Sequence, residues 1–201
     1  MKIKTIFFIA LMCSTFLAKA QDYYHGLGGQ VNYGIFKLDY EATDFSYSDQ
    51  AVAAVPGIVY KASLGFEINR SMNFAISSYP FIGLNMNFNS QTGGSGSFGA
   101  ELPVLGEIYF GDIDDPCFFL GAGFSAAFLA SSDVWGGVSA GPIVGPQLDI
   151  GGQFEFRDRL IGLRLAYTYG LNNTKNIDPS YTINKDSRNM FSLGAYYMFG
   201  Y

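Results

Sequence analysis

Six ionisable side chains sit where a mostly apolar chain should carry no charge: Lys61, Glu67, Glu107, Asp149, Glu155 and Arg164. Each lies inside a stretch of alternating residues, on the polar side of the alternation. Two bases and four acids facing one enclosed space suit two kinds of chemistry. They can pair into a network that fills the space, since buried charges are tolerated when matched. Or they can line a path or gate for ions. The ion-pair network is the plainer expectation. The ion path is the sharper alternative.

The elements that must hold these side chains are strands. Eight runs show a two-residue period, at about residues 24–40, 57–68, 73–88, 98–110, 117–130, 141–156, 159–171 and 189–201. In the second, Ile58, Tyr60, Ala62, Leu64, Phe66 and Ile68 share one face, and Lys61, Ser63, Gly65 and Glu67 the other. In the fourth, Leu102, Val104, Ile108 and Phe110 oppose Glu101, Glu107 and Tyr109. In the seventh, Ile161, Leu163, Leu165 and Tyr167 oppose Gly162, Arg164 and Thr168. Such alternation marks strands with one apolar face. The period slips at Ile35-Phe36, where a bulge is expected. Pro80 costs the third run a ladder bond.

The connections alternate in length. Those at about 69–72, 111–116 and 157–158 are short, and those at about 41–56, 89–97, 131–140 and 172–187 are longer and polar. Strict alternation suits an all-β fold, an eight-stranded antiparallel up-and-down transmembrane β-barrel, with short turns at one end. A charge facing lipid at mid-depth would cost roughly 2–4 kcal/mol, so the six charges should point inward. Apolar-face aromatics collect near the short turns, at Phe66, Phe74, Phe110, Phe118, Phe154, Phe156, Phe199 and Tyr201. Tyr40, Phe88, Phe128, Tyr167 and Tyr169 suggest a second girdle. A lipocalin-like soluble barrel needs the reverse arrangement, polar outside and apolar inside.

Composition agrees. Charged residues are 14% and aromatics 17% of the chain, where about a quarter charged is usual. Residues 1–20 read as a cleavable leader: Lys2 and Lys4, an apolar core, then Ala18-Lys19-Ala20. Residues 21–201 then form one barrel domain. The leader's three lysines leave with it, so the net charge of −5 becomes about −8. A net acidic chain argues against nucleic acid as a partner. Cys117 is the one cysteine beyond the leader, so no internal disulfide forms.

The leader, the eight runs and the aromatic last strand, N-M-F-S-L-G-A-Y-Y-M-F-G-Y, resemble the small outer-membrane β-barrel family of Bacteroidota. Its plan is OmpA/OmpX-like, as in PorT-like barrels. The resemblance spans the whole mature chain and implies an outer-membrane location with both mature termini periplasmic. It implies the lipid bilayer and the barrel-assembly machinery as partners, with Tyr197, Phe199 and Tyr201 as the assembly signal. It implies either a structural or surface-interaction module with a side-chain-filled lumen, or a narrow pore or transport accessory.

Other chemistry is poorly served. Lipid-modifying barrel enzymes pair a histidine with a serine at the outer face. His25, the single histidine, starts the first run at the short-turn end, so no enzyme is expected. Asp112, Asp114 and Asp115 in one turn are ordinarily solvated rather than metal-bound. No cofactor is expected. Trp135, Phe45 and Tyr181, in the longer connections, are the candidate external contacts.

Overall fold

In a computed structural model, residues 22–42, 45–89, 93–131, 143–171 and 181–199 are described. The expected leader, Trp135 and Tyr201 lie outside them. The strands are β1 (Asp22–Ala42), β2 (Phe45–Asn69), β3 (Met72–Ser78), β4 (Phe81–Asn89), β5 (Gly93–Phe110), β6 (Cys117–Ser131), β7 (Ile143–Glu155), β8 (Leu160–Tyr169) and β9 (Tyr181–Met198). β3 and β4 form one stave interrupted at Tyr79-Pro80. Proline offers no ladder donor, yet the Pro80 carbonyl still accepts from the Tyr60 amide at 3.0 Å. Every neighbouring pair is antiparallel, and β1 closes on β9 through Leu27↔Tyr197 and Val31↔Leu193. The result is a closed eight-stranded barrel.

The faces fall as the alternation requires. Leu27, Ile58, Leu102, Leu120, Leu148, Leu165 and Leu193 stand exposed on the outer wall, while most of their chain neighbours are buried inside. A continuous apolar exterior of this kind demands an apolar surrounding.

Two expectations need correction. The longer connections are shorter than the alternation suggested, because β1 and β2 stay paired up to Ala42↔Phe45 and β9 begins at Tyr181. A strand keeps an apolar face only where one side meets something apolar. Past the apolar band the alternating runs become short and broken while backbone pairing continues. The slip at Ile35-Phe36 is also absent: Gly34 and Phe36 are buried and Tyr33 is exposed, so the alternation runs through. Phe36 mimics a slip because it belongs to an apolar layer inside the barrel. The irregularity in this strand lies between Asp39 and Tyr40.

The short turns are tight. Asn69 Oδ1 accepts from the Ser71 amide at 2.9 Å. Phe156 and Arg159 exchange both backbone hydrogen bonds around Arg157 and Asp158, which hold φ of 54° and 58°. That is a two-residue hairpin turn whose hand matches the strand twist, built without glycine. Asp158→Gly relieves one strained position and should raise stability by about 1 kcal/mol, read as the urea midpoint of the refolded protein. A lowered midpoint would show that the Asp158 side chain contributes more than its backbone strain costs.

Candidate functional site

Inside the wall, small and large residues interlock. The Tyr196 ring lies across Gly162 and the Phe119 ring across Gly151. Buried among these staves are three cations, Lys61, Arg164 and Arg188, and three carboxylates, Glu101, Glu107 and Asp149, among the described residues. Two sub-networks hold most of them.

The first sits toward the short turns. The Lys61 ammonium donates to the Tyr109 hydroxyl at 2.9 Å and lies 3.4 Å from that of Tyr196. It stands 5.0 to 5.9 Å from the ring centres of Tyr79, Tyr109, Phe119 and Tyr196. Such an aromatic cage stabilises a desolvated cation. With its amide turned to satisfy both partners, Gln153 accepts from Lys61 at 3.1 Å and donates to the Ile113 carbonyl at 2.8 Å. Glu107 accepts from Ser77, from Tyr79 at 2.7 Å and from Tyr109 at 2.6 Å. Tyr109 thus joins the base to the acid.

The second sub-network crosses the middle of the barrel. Arg164 Nε pairs with Asp149 at 2.5 Å, and an Nη atom donates to Gln30 Oε1 at 3.0 Å. The guanidinium lies 4.1 Å from the Tyr79 ring centre. Gln147 donates to Asp149 at 2.8 Å and accepts from Thr168 at 3.1 Å. Glu101 accepts from Gln30 at 2.9 Å, Asn32 at 2.8 Å and Ser125 at 3.1 Å. Arg164 Nη2 alone among buried side-chain polar atoms of the described residues has no partner.

Apolar layers flank this polar middle. Phe36, Val55, Phe81, Leu129, Ile143 and Met190 close it on the side of the longer connections. Tyr24, Ile113, Cys117, Leu160 and Met198 close it on the other, with Ile113 reaching in from the β5–β6 turn.

The structure therefore brings together four of the six singled-out charges, Lys61, Glu107, Asp149 and Arg164. Glu67 and Glu155 are exposed near the short turns and stand apart from the network. Tyr197 and Phe199 face outward, as lipid-facing residues of the last strand would. Glu101 and Tyr109 share the charged face of the fourth run, and Arg188 lies between the last longer connection and the last run, where no alternation marks it. Tyr79 and Tyr196 are uncharged, and parity alone gives them no role.

His25 has joined an aromatic cluster on the outer wall. Its ring is 4.6 Å from that of Phe199, and Nδ1 is 3.2 Å from the Tyr60 hydroxyl. In the β5–β6 turn, Asp112 accepts from Asn73 at 2.9 Å.

No family model matches the chain. No curated protein matches it in sequence. Among solved structures, the outer membrane protein OprG from Pseudomonas aeruginosa superposes with a TM-score of 0.52 at 12% identity, covering 91% of this chain and 98% of that one. The outer membrane protein AlkL, determined in lipid bilayers, gives 0.49 at 13% identity, covering 90% of each. Ail, the attachment invasion locus protein of Yersinia pestis, gives 0.40 at 14% identity, covering 87% of this chain and 99% of that one. The likeness is one of fold: a small, closed, porin-like barrel of the outer-membrane type.

Proposed function

We propose that the chain is an outer-membrane barrel with a plugged interior, acting as a structural and surface-interaction module. The carrying observation is the network of Lys61, Arg164, Glu101, Glu107 and Asp149, each of them hydrogen-bonded and all sealed between two apolar layers. Ions crossing it would have to break matched pairs and wet two apolar constrictions, each of which opposes conduction.

The working surface in this reading is the sheet beyond the apolar band. Among the described residues, β2 before Ala54 and β9 before Arg188 have β1 as their only ladder partner, while the Arg188 carbonyl accepts from the Gly170 amide at 2.7 Å. Open strand edges offer backbone donors and acceptors to an extended segment of another protein. The barrel-assembly machinery is the proposed partner during insertion, reading the outward Tyr197 and Phe199. The likeness to Bacteroidota PorT-like barrels belongs to the same proposal, as do the leader and the periplasmic termini. The reading is non-enzymatic: His25 contacts tyrosines and a phenylalanine in a girdle rather than a serine nucleophile.

The test is conductance. Refolded protein, with folding confirmed by heat-dependent gel mobility, is added to a planar bilayer. Silence is expected. A steady current that scales with salt would overturn the plug and install the alternative, a narrow pore or transport accessory.

A further inference from the structure

We propose that the outer wall of β7, β8 and β9 holds an anionic phospholipid, with its phosphate at Arg157 and Arg159 and one acyl chain in the groove above them. The proposal rests on the membrane reading. It begins at the β7–β8 turn. The Arg157 guanidinium lies 5.2 Å from the Phe156 ring centre, and that of Arg159 lies 6.0 Å from the ring centre of outward-facing Tyr197. Stacking against these rings draws the two cations toward the lipid side of the rim. From Tyr197 an aromatic strip continues around the wall. Phe199 stacks on it at 6.4 Å, then His25 at 4.6 Å, then the tyrosine pair Tyr23 and Tyr60, whose hydroxyls lie 3.4 Å apart. Polar-tipped rings of this kind sit at the headgroup level of a bilayer.

Most carboxylates at this end are placed elsewhere. Glu67, Asp112 and Asp114 border a cavity of about 210 Å³ with Tyr24 and Ile113, residues of the inner apolar layer. Asp158 lies between the two arginines, and exposed Glu155 stands two residues before Arg157 on the inward parity of β7. The sorting is one of direction: Glu67, Asp112 and Asp114 gather at the mouth, while the two guanidinium groups lean on lipid-side rings.

The second observation is independent. A groove of about 420 Å³ opens on the outer wall, lined by Leu120, Leu148, Ile150, Leu165, Tyr167 and Phe191. Leu165 lies six residues along the chain from Arg159. At ~3.3 Å per residue, and with strands tilted by about 40°, that places the groove roughly 15 Å deeper. This is half of a hydrocarbon core ~30 Å thick. A phospholipid whose phosphate is held at Arg159 can lay an acyl chain into it. Guanidinium groups bind phosphate by paired hydrogen bonds. A zwitterionic headgroup brings its own ammonium to compete, whereas phosphatidylglycerol does not.

The experiment is native mass spectrometry of the full chain released from nanodiscs of mixed phosphatidylcholine and phosphatidylglycerol. Wild type should retain phosphatidylglycerol preferentially, by about fivefold for each arginine. Arg157→Gln/Arg159→Gln should abolish the preference, and Arg157→Lys/Arg159→Lys should keep part of it. Leu165→Trp, which fills the groove with both arginines intact, should lower retention of bound lipid. Arg70→Gln, at a different short turn, should change nothing. A wild type without preference, or a double glutamine variant that keeps it, overturns the proposal. Heat-dependent gel mobility separates the failures: its loss in wild type sinks the membrane reading itself, and its presence without lipid preference sinks only this inference.

Discussion

Arg164→Met should cost the folded barrel about 3–5 kcal/mol, the penalty for leaving a buried carboxylate without its partner. Arg164 serves Asp149 directly and reaches Glu101 through Gln30, which bonds both. Methionine keeps an unbranched stem but is shorter and supplies no donor. Asp149, Gln30 and the Tyr79 ring all lose a partner at once. The double variant Arg164→Met/Asp149→Leu removes the orphaned charge and should recover most of the loss. Urea midpoints of vesicle-refolded protein, followed by gel mobility, give the comparison. A single-variant loss under about 1 kcal/mol would mean that the interior is hydrated like a surface. A double variant no better than the single would mean that the cost lies in lost packing rather than in unpaired charge.

Gly162→Val should be the next most damaging change, at about 3 kcal/mol. A Cβ at residue 162 would overlap the Tyr196 ring. That ring forms one wall of the Lys61 cage, 5.0 Å from the ammonium, and lies 5.9 Å from the Tyr79 ring. Overpacking contributes about 1–3 kcal/mol, and moving the ring away from a desolvated cation contributes about 1–2 kcal/mol more. In the Gly162→Val background, Tyr196→Ala should restore part of the lost stability, although alone it would be destabilising. Valine tolerated within about 0.5 kcal/mol would show that the ring has room to move and that the cage is loose.

The direction in which each side chain points was readable from alternation, because a strand has only two faces and one of them could not carry charge. Parity alone hid depth. It places Glu67 and Glu155 with Lys61 and Arg164, and only counting from the short turns at 69–72 and 157–158 sets the first two at the rim and the last two deeper. Pairing was equally hidden. Glu101 meets Gln30 and Asn32 from a strand some 70 residues away in the chain, and only the closed barrel makes them neighbours. The tyrosines offered a usable signal: Tyr109 follows Glu107 on the charged face, and Tyr196 shares parity with Ser192 and Gly194. An aromatic on that parity has to find a polar partner inside. The strand extensions past the apolar band carried only a brief signal: Phe45 and Tyr47 alternate with Ser46 and Ser48, and Tyr181 and Ile183 with Thr182 and Asn184, runs at the short limit for marking a strand.

The seam between β1 and β9 has a kinetic consequence. Most other seams join consecutive segments, but this one pairs Gly26 with Met198 and Ala42 with Tyr181, more than 130 residues apart. The preceding hairpins can form locally and in order, whereas this closure has to wait for the last strand. Its cost grows only slowly with chain length, so the difficulty is fidelity rather than entropy. A slip of one residue would turn Gln30 and Asn32 out of the lumen, and a slip of two would carry them past Ser192 and Arg164. Either leaves charge stranded. The interior network thus proofreads the final step: it matches only when the first and last strands meet in register, and a misregistered sheet would stay open and reversible until they do.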